Sequence, residues 1–196
     1  AAIFHSISAY NNAGFGLWSN SLQSYRNNGV VNFVLIILIL LGGLGWRVTN
    51  DIWINRRSLR LRNLSLHTRL VIRTSFILIV LGACGLLFTE SLIKGNFFST
   101  LTFPDRILTA LFTSVSARTA GFTNLPISIE SVSDSGLLLI MCLMFIGASP
   151  GGTGGGIKTT TIAALMAATR ATLRGQNEII IRNRQISDKV VLKAVG

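Results

Sequence analysis

Residues 30–46, VVNFVLIILILLGGLGW, run for 17 positions without a charge. That is the short end of a membrane span. Residues 74–89, TSFILIVLGACGLLFT, form a second such run, which starts a turn earlier if Arg73 snorkels. A third begins at Gly136 as GLLLIMCLMFIGAS and breaks at Pro150. It continues as GGTGGGIKTTTIAALMAA to Ala168, with Lys158 as its sole charge. Such runs leave a chain of 196 residues little from which to build a soluble domain. Charged residues make up 13% of it, against roughly 25% in ordinary soluble domains, and the mean hydropathy is +0.57. Disorder, a fibrous protein and an ordinary soluble enzyme are thereby excluded. The expected fold class is all-α and integral to the membrane.

The net charge of +11 would suggest nucleic acid on a soluble protein, but its placement argues otherwise. Seven arginines, Arg47, Arg56, Arg57, Arg60, Arg62, Arg69 and Arg73, crowd the first gap between runs, with Asp51 the one acid there. Seven more cations, Lys158, Arg170, Arg174, Arg182, Arg184, Lys189 and Lys193, lie in the last part of the chain. Residues 75–157 hold only Lys94, Arg106 and Arg118 against Glu90, Asp105, Glu130 and Asp134. Basic blocks alternating with apolar runs follow the positive-inside pattern. They place residues 47–73 and 170–196 in the cytoplasm, and residues 1–29 and 90–132 outside. Trp18, Trp46 and Trp53 fall near expected span ends, as interfacial anchors do.

Two segments repeat each other. FHSISAYNNAGF, residues 4–15, matches FTSVSARTAGF, residues 112–122, with one gap. Phe4 pairs with Phe112, Ser6 with Ser114, Ser8 with Ser116, Ala9 with Ala117, and Ala13-Gly14-Phe15 with Ala120-Gly121-Phe122. In each, an apolar stretch of helix length ends in Ser-x-Ser-Ala, and a small-residue turn precedes a span. Residues 107–117 would make a helix of roughly 16 Å, too short to cross a bilayer but able to enter and return. Irregular backbone at that depth is tolerated only where protein buries it or water bathes it. Glycine in the turn lets successive carbonyls face one axis, and a ring of carbonyls can replace a cation's hydration shell. The repeat reads as helix, pore loop, helix. The candidate ion-binding residues are Asn12, Ala13, Gly14, Thr119, Ala120 and Gly121.

The break in the third run has six glycines in ten residues, 147–156. A phosphate-binding loop would need Lys directly after its last glycine; here Ile157 separates Gly156 from Lys158. A pliable break lining a water-filled path is the better reading, with Gly151, Gly152, Thr153, Gly154, Gly155, Gly156 and Lys158 as a gate. Lys158 is an intramembrane cation, of the kind that marks an ion path or a partnered charge. Thr159, Thr160 and Thr161 are placed to rebond freed carbonyls. Asp105, next to Pro104, reads as a helix cap. His5 and His67 lack ligand neighbours, and no metal site or catalytic constellation is expected. Cys84 and Cys142 sit in apolar runs and read as small buried hydrophobes.

FHSISAYNNAGF, SARTAGF and MFIGASPGGTGGGIKTTT together resemble the Trk/Ktr/HKT superfamily of potassium transporters. IKTTT and LRGQNEIIIRNRQI are most similar to its bacterial KtrB-type branch. The resemblance covers nearly the whole chain. It implies a fragment of a four-repeat helix–pore-loop–helix, potassium-channel-like fold, in which each repeat gives one filter segment. Residues 1–50 would end repeat two, with Gly14 in its filter, and residues 51–70 would be a basic cytoplasmic loop. Residues 71–168 would form repeat three, with Gly121 in its filter and the glycine segment as its gate. Residues 169–196 would lead to a missing repeat four, which also holds an arginine facing the gate. K+ would be the transported ion, with Na+ as a further one, and no organic cofactor is implied. The implied partners are a second copy of the full-length protein, a cytosolic nucleotide-binding regulatory ring and membrane lipid, but not nucleic acid. The rival readings are a degenerate phosphate-binding glycine loop in a membrane protein, and a basic lipid- or nucleic-acid-binding membrane anchor.

Overall fold

The structure is a computed structural model that describes residues 1–56, 64–92, 97–126, 131–175, 179–181 and 184–186. Of the basic residues singled out above, Arg57, Arg60, Arg62, Lys94, Arg182, Lys189 and Lys193 lie outside these, as does Glu130. The described residues form seven α-helices: α1 Ala2–Tyr10, α2 Gly29–Leu44, α3 Trp46–Ile54, α4 Leu66–Leu92, α5 Phe103–Thr119, α6 Asp134–Phe145 and α7 Thr159–Leu173. The helical architecture is as expected. It carries one addition, a short antiparallel pair of β1 Ile179–Ile181 and β2 Arg184–Ile186.

Local chemistry sets the helix ends. The Asn28 side chain accepts from Val31 N–H at 3.1 Å and starts α2. Gly45, at φ 84°, ends it and turns the chain by 100° into α3. The run at 30–46 is therefore a helix with a sharp corner, and Trp46 opens the next element. Asp51 on α3 accepts from Ser65 N–H at 3.0 Å and from Asn55 Nδ2 at 3.0 Å, which ties α3 to the start of α4. The Thr68 hydroxyl, foremost, holds the Asp51 carboxyl below the usual aspartate range.

At 27 residues, with a mean hydropathy of 2.3 over its most apolar 18-residue window, α4 is long and apolar enough to cross a membrane. Only 28% of its most apolar window is buried, and Phe76, Leu81 and Phe88 point outward. Exposed apolar surface on that scale marks a face for lipid or for further protein. The inward face carries Gly82 and Gly85, against which Ser114 of α5 and Leu143 and Leu139 of α6 pack. Small residues at such contacts let helices approach closely. Ser114 Oγ donates to Ile79 O at 2.9 Å, sealing α5 to α4. At the other end of α4, buried Glu90 accepts from the Ser133 hydroxyl at 2.6 Å, and Ser133 in turn caps α6.

α5 runs for 17 residues, longer than the stretch 107–117, because Pro104 sits in its first turn. Asp105 is in that turn too, but it accepts from the Thr102 hydroxyl at 2.6 Å and caps no backbone group. Cys84 and Cys142 are exposed on their helices, so the expectation of burial was wrong. An apolar run predicts where a helix lies, not which of its sides meets protein. Trp18 is half-buried, stacked on His5 at 4.4 Å, and Trp46 and Trp53 are exposed.

α1 crosses α2 so closely that a Cβ built on Gly42 would enter the Tyr10 carbonyl oxygen. Gly42→Ala in the full-length protein is expected to destabilise it by about 1–3 kcal/mol through overpacking. Gly29→Ala, at a site with open space around it, should leave the melting temperature in detergent where it was. Equal melting of the two variants would refute this packing.

Candidate functional site

The C-termini of α1 and α5 end in the two glycine turns, and the turns meet. In the first, Asn12 N–H donates to Ala9 O at 3.0 Å and Ala13 N–H to Ser8 O at 2.9 Å. In the second, Ala120 and Gly121 N–H groups both donate to Ser116 O, at 2.9 and 3.1 Å. The first turn has one residue more, and Asn12 absorbs it by adopting φ 52°, a left-handed conformation that asparagine tolerates better than most residues. Gly14 and Gly121 then take matching left-handed conformations, φ 72° and 77°. A Cβ on Gly14 would strike the Ala120 carbonyl oxygen and lie 3.2 Å from Gly121 Cα. Ala120 is buried, Gly14 half-buried, and Ala13 and Gly121 are exposed.

Serines that the repeat aligned without a role hold these turns. Ser8 Oγ donates to Phe15 O at 2.8 Å and Ser116 Oγ to Phe122 O at 2.6 Å. Each serine thus takes up the carbonyl just after its glycine. The carbonyls of Asn12, Ala13, Gly14, Thr119, Ala120 and Gly121 accept no hydrogen bond among the described residues. What the turns offer is a set of neutral, unspent oxygen dipoles with no anionic side chain, the kind of group that can stand in for water around a cation. Behind the first turn, buried His5 fixes the outgoing strand: its Nδ1 faces Ala1 O at 2.8 Å and its Nε2 accepts Leu17 N–H at 3.3 Å. Nothing in the sequence pointed to that role.

Between α6 and α7 the glycine segment doubles back on itself. Gly147 N–H donates to Ile157 O at 3.0 Å, Ile157 N–H to Phe145 O at 3.2 Å and Ala148 N–H to Gly155 O at 3.0 Å. It docks on the corner of α2 and α3 through Ser149 N–H to Gly43 O (3.0 Å), Thr153 N–H to Gly42 O (3.1 Å) and Trp46 N–H to Gly151 O (3.4 Å). Two cations hold it. Lys158 Nζ donates to Gly154 O at 3.0 Å, and buried Arg118, at the end of α5, sends Nη2 to Gly147 O at 3.3 Å. The sequence marked Lys158 but gave Arg118 no contact with the segment. The Thr159 hydroxyl meets the Ser149 hydroxyl at 3.0 Å, so it bonds a side chain rather than a freed carbonyl.

Segment and turns also touch each other. Asn12 Nδ2 donates to Thr153 Oγ1 at 2.8 Å, Thr119 Oγ1 donates to Asn12 Oδ1 at 2.7 Å, and a Cβ on Gly154 would meet the Thr119 side chain at 2.6 Å. All three candidate groups, two turns and one glycine segment, form one connected site.

The family model for TrkH, a cation transport protein, matches residues 1–195. The chain belongs to this family. Curated family relatives include Ktr system potassium uptake protein B of Bacillus subtilis, 35% identical over 196 residues, covering 100% of this chain and 43% of that protein. The Vibrio alginolyticus protein of the same description is 37% identical over 195 residues, with coverages of 100% and 42%. Potassium/sodium uptake protein NtpJ of Enterococcus hirae is 35% identical over 198 residues, with coverages of 99% and 42%. The chain thus spans about two-fifths of the length of these relatives. Among solved structures, the potassium transporter TrkH of Vibrio parahaemolyticus shares the fold at a TM-score of 0.75. It is 22% identical and covers 99% of this chain and 41% of that one. Trk/Ktr potassium transporters are membrane proteins, and α4 gives this family member a helix able to span the bilayer.

Ser116→Ala is expected to strand the Phe122 carbonyl and cost about 1–3 kcal/mol. Ser24→Ala, at an exposed side-chain pair with Asn20, should cost nothing measurable. Thermal melting of the purified full-length variants checks the difference.

Proposed function

We propose that the chain is part of the pore-forming subunit of a potassium uptake protein, contributing two of its filter segments and a gate. The observation that carries this reading is the pair of glycine turns. They share a sequence repeat, a left-handed glycine and a serine staple, and they pack against each other with unspent carbonyls. K+ is the ion that these carbonyls take up on dehydration. The description of NtpJ as a potassium/sodium uptake protein supports Na+ as a second ion.

In this proposal Asn12, Ala13, Gly14, Thr119, Ala120 and Gly121 present the coordinating oxygens. Residues 151–156 obstruct the path below them, with Lys158 bracing the obstruction from inside. Residues 1–50 close repeat two, 71–168 form repeat three, and 51–70 and 169–196 are the cytoplasmic connections. The basic connections are where anionic lipid and a nucleotide-binding regulatory ring would bind, in a dimer of full-length subunits.

A phosphate-binding role for the glycine segment has less support. Of the segment's N–H groups, those of Gly147, Ala148, Ser149, Gly152, Thr153 and Ile157 already donate to carbonyls within the protein. Binding phosphate through these would require unmaking the segment.

In the full-length protein, expressed in bacteria lacking their own potassium uptake, Gly121→Ser should fold with about 1–2 kcal/mol of backbone strain. It should lower K+ over Na+ discrimination about tenfold, equivalent to ~1.4 kcal/mol. Gly14→Ser must also displace the Ala120 carbonyl and should be the more damaging. Competition uptake with unchanged selectivity in both would sink the filter assignment. Deleting residues 152–155 should raise flux, and unchanged or lower flux would count against the gate.

A further inference from the structure

We propose that Asn12 and Thr153 form a latch that ties the state of the gate to the geometry of the filter. This rests on the filter-and-gate reading above and assigns the coupling to side chains. Asn12 and Thr119 hold equivalent places, each two residues before its glycine. Their side chains meet: Thr119 Oγ1 donates to Asn12 Oδ1 at 2.7 Å. The other end of the same amide donates to Thr153 Oγ1 at 2.8 Å and, at 3.4 Å, to Ile39 O. Thr153 Oγ1 donates in turn to the carbonyl oxygen of Tyr10, the last residue of α1, at 3.1 Å. A chain of hydrogen bonds therefore runs from the second turn, through the first, into the glycine segment and back to the helix that carries the first turn.

The direction of this chain is set by its ends. Tyr10 O and Ile39 O can only accept. Thr153 therefore donates to Tyr10 and receives from the Asn12 amino group, which leaves Asn12 Oδ1 for Thr119. Flipping the amide would set its oxygen against Ile39 O and force Thr153 to abandon Tyr10. Asn12 is buried, with 8% of its surface exposed, whereas Thr153 is exposed, so it is at the Asn12 amide that a lost partner is costly. Its left-handed backbone, φ 52°, aims the side chain at the segment rather than along the turn.

The segment cannot leave its place without breaking the bonds Thr153 makes to Asn12 and Tyr10. Once they break, the amide that also steadies Thr119 is released. Asn12 is thus a positioning residue for both turns and for the gate, and opening and ion discrimination share one hydrogen-bonded node.

The test is potassium uptake with sodium competition by the full-length protein in uptake-deficient cells, normalised to its amount in the membrane. Thr153→Val keeps shape and removes both side-chain bonds. It should raise flux about tenfold, as expected for two lost hydrogen bonds, and lower K+ over Na+ discrimination at the same time. Thr153→Ser, the conservative rescue, should restore both. Thr119→Val combined with Thr153→Val should affect discrimination less than additively, because both act through Asn12. A purely structural role would lower abundance and leave discrimination intact. If Thr153→Val fails to reach the membrane, Thr153→Ala removes the same hydroxyl with less bulk, and the same paired change is expected. Higher flux with unaltered discrimination overturns the latch, as does wild-type behaviour of Thr153→Val or, in its place, Thr153→Ala. If deleting residues 152–155 raises flux while the point variants do not, the latch falls and the gate stands. If neither raises flux, both fall.

Discussion

A helix that stops inside a membrane leaves its last carbonyls without partners, and no water is at hand to take them. α2 stops at Leu44, where the chain turns by 100°, and its last carbonyls need partners. Between α6 and α7 another apolar run is interrupted, which leaves a stretch of backbone with no helix of its own. Each break answers the other. The glycine segment donates Ser149 and Thr153 N–H groups to Gly43 and Gly42, and its Gly151 carbonyl accepts from Trp46 at the start of α3. The rest of the arrangement depends on this exchange. It sets the segment beneath the two turns, within reach of Asn12 and Thr119.

The turns themselves illustrate how a polar site can be built with few polar side chains. Ser8 and Ser116 take up one carbonyl each, the one just past the glycine, and leave the preceding ones unspent. His5 holds the strand leaving the first turn, and the Asn124 side chain donates to buried Asn32 of α2 beside the second. These contacts stiffen backbone whose carbonyls would otherwise reorient.

Charge is handled economically. Arg118 and Lys158 are directed at carbonyls of the glycine segment, Gly147 O and Gly154 O, rather than at carboxylates. Positive charge directed at these carbonyls fastens the segment. The outward faces carry the opposite character: Phe76, Leu81, Phe88, Met141 and Phe145 are exposed along α4 and α6, where lipid or further protein covers them.

Sequence alone determined the membrane class, the helical architecture and the family, because uncharged runs and alternating basic blocks are one-dimensional signals of burial in lipid. It also marked the two turns, since a repeat with glycine at a fixed place survives as text. It did not show that α2 ends in a corner, that α5 begins at Phe103, or that Cys84 and Cys142 face outward. Each of those depends on which side of a helix meets which neighbour. The roles of Ser8, Ser116, His5 and Arg118 were likewise invisible, though the serines were aligned, because a hydrogen bond to a carbonyl leaves no spacing rule behind. The bonds of Asn12 to Thr119 and Thr153 join residues 107 and 141 positions apart. Only the tertiary structure could decide that, because the mutual need of two broken helices for hydrogen-bond partners brings those side chains together.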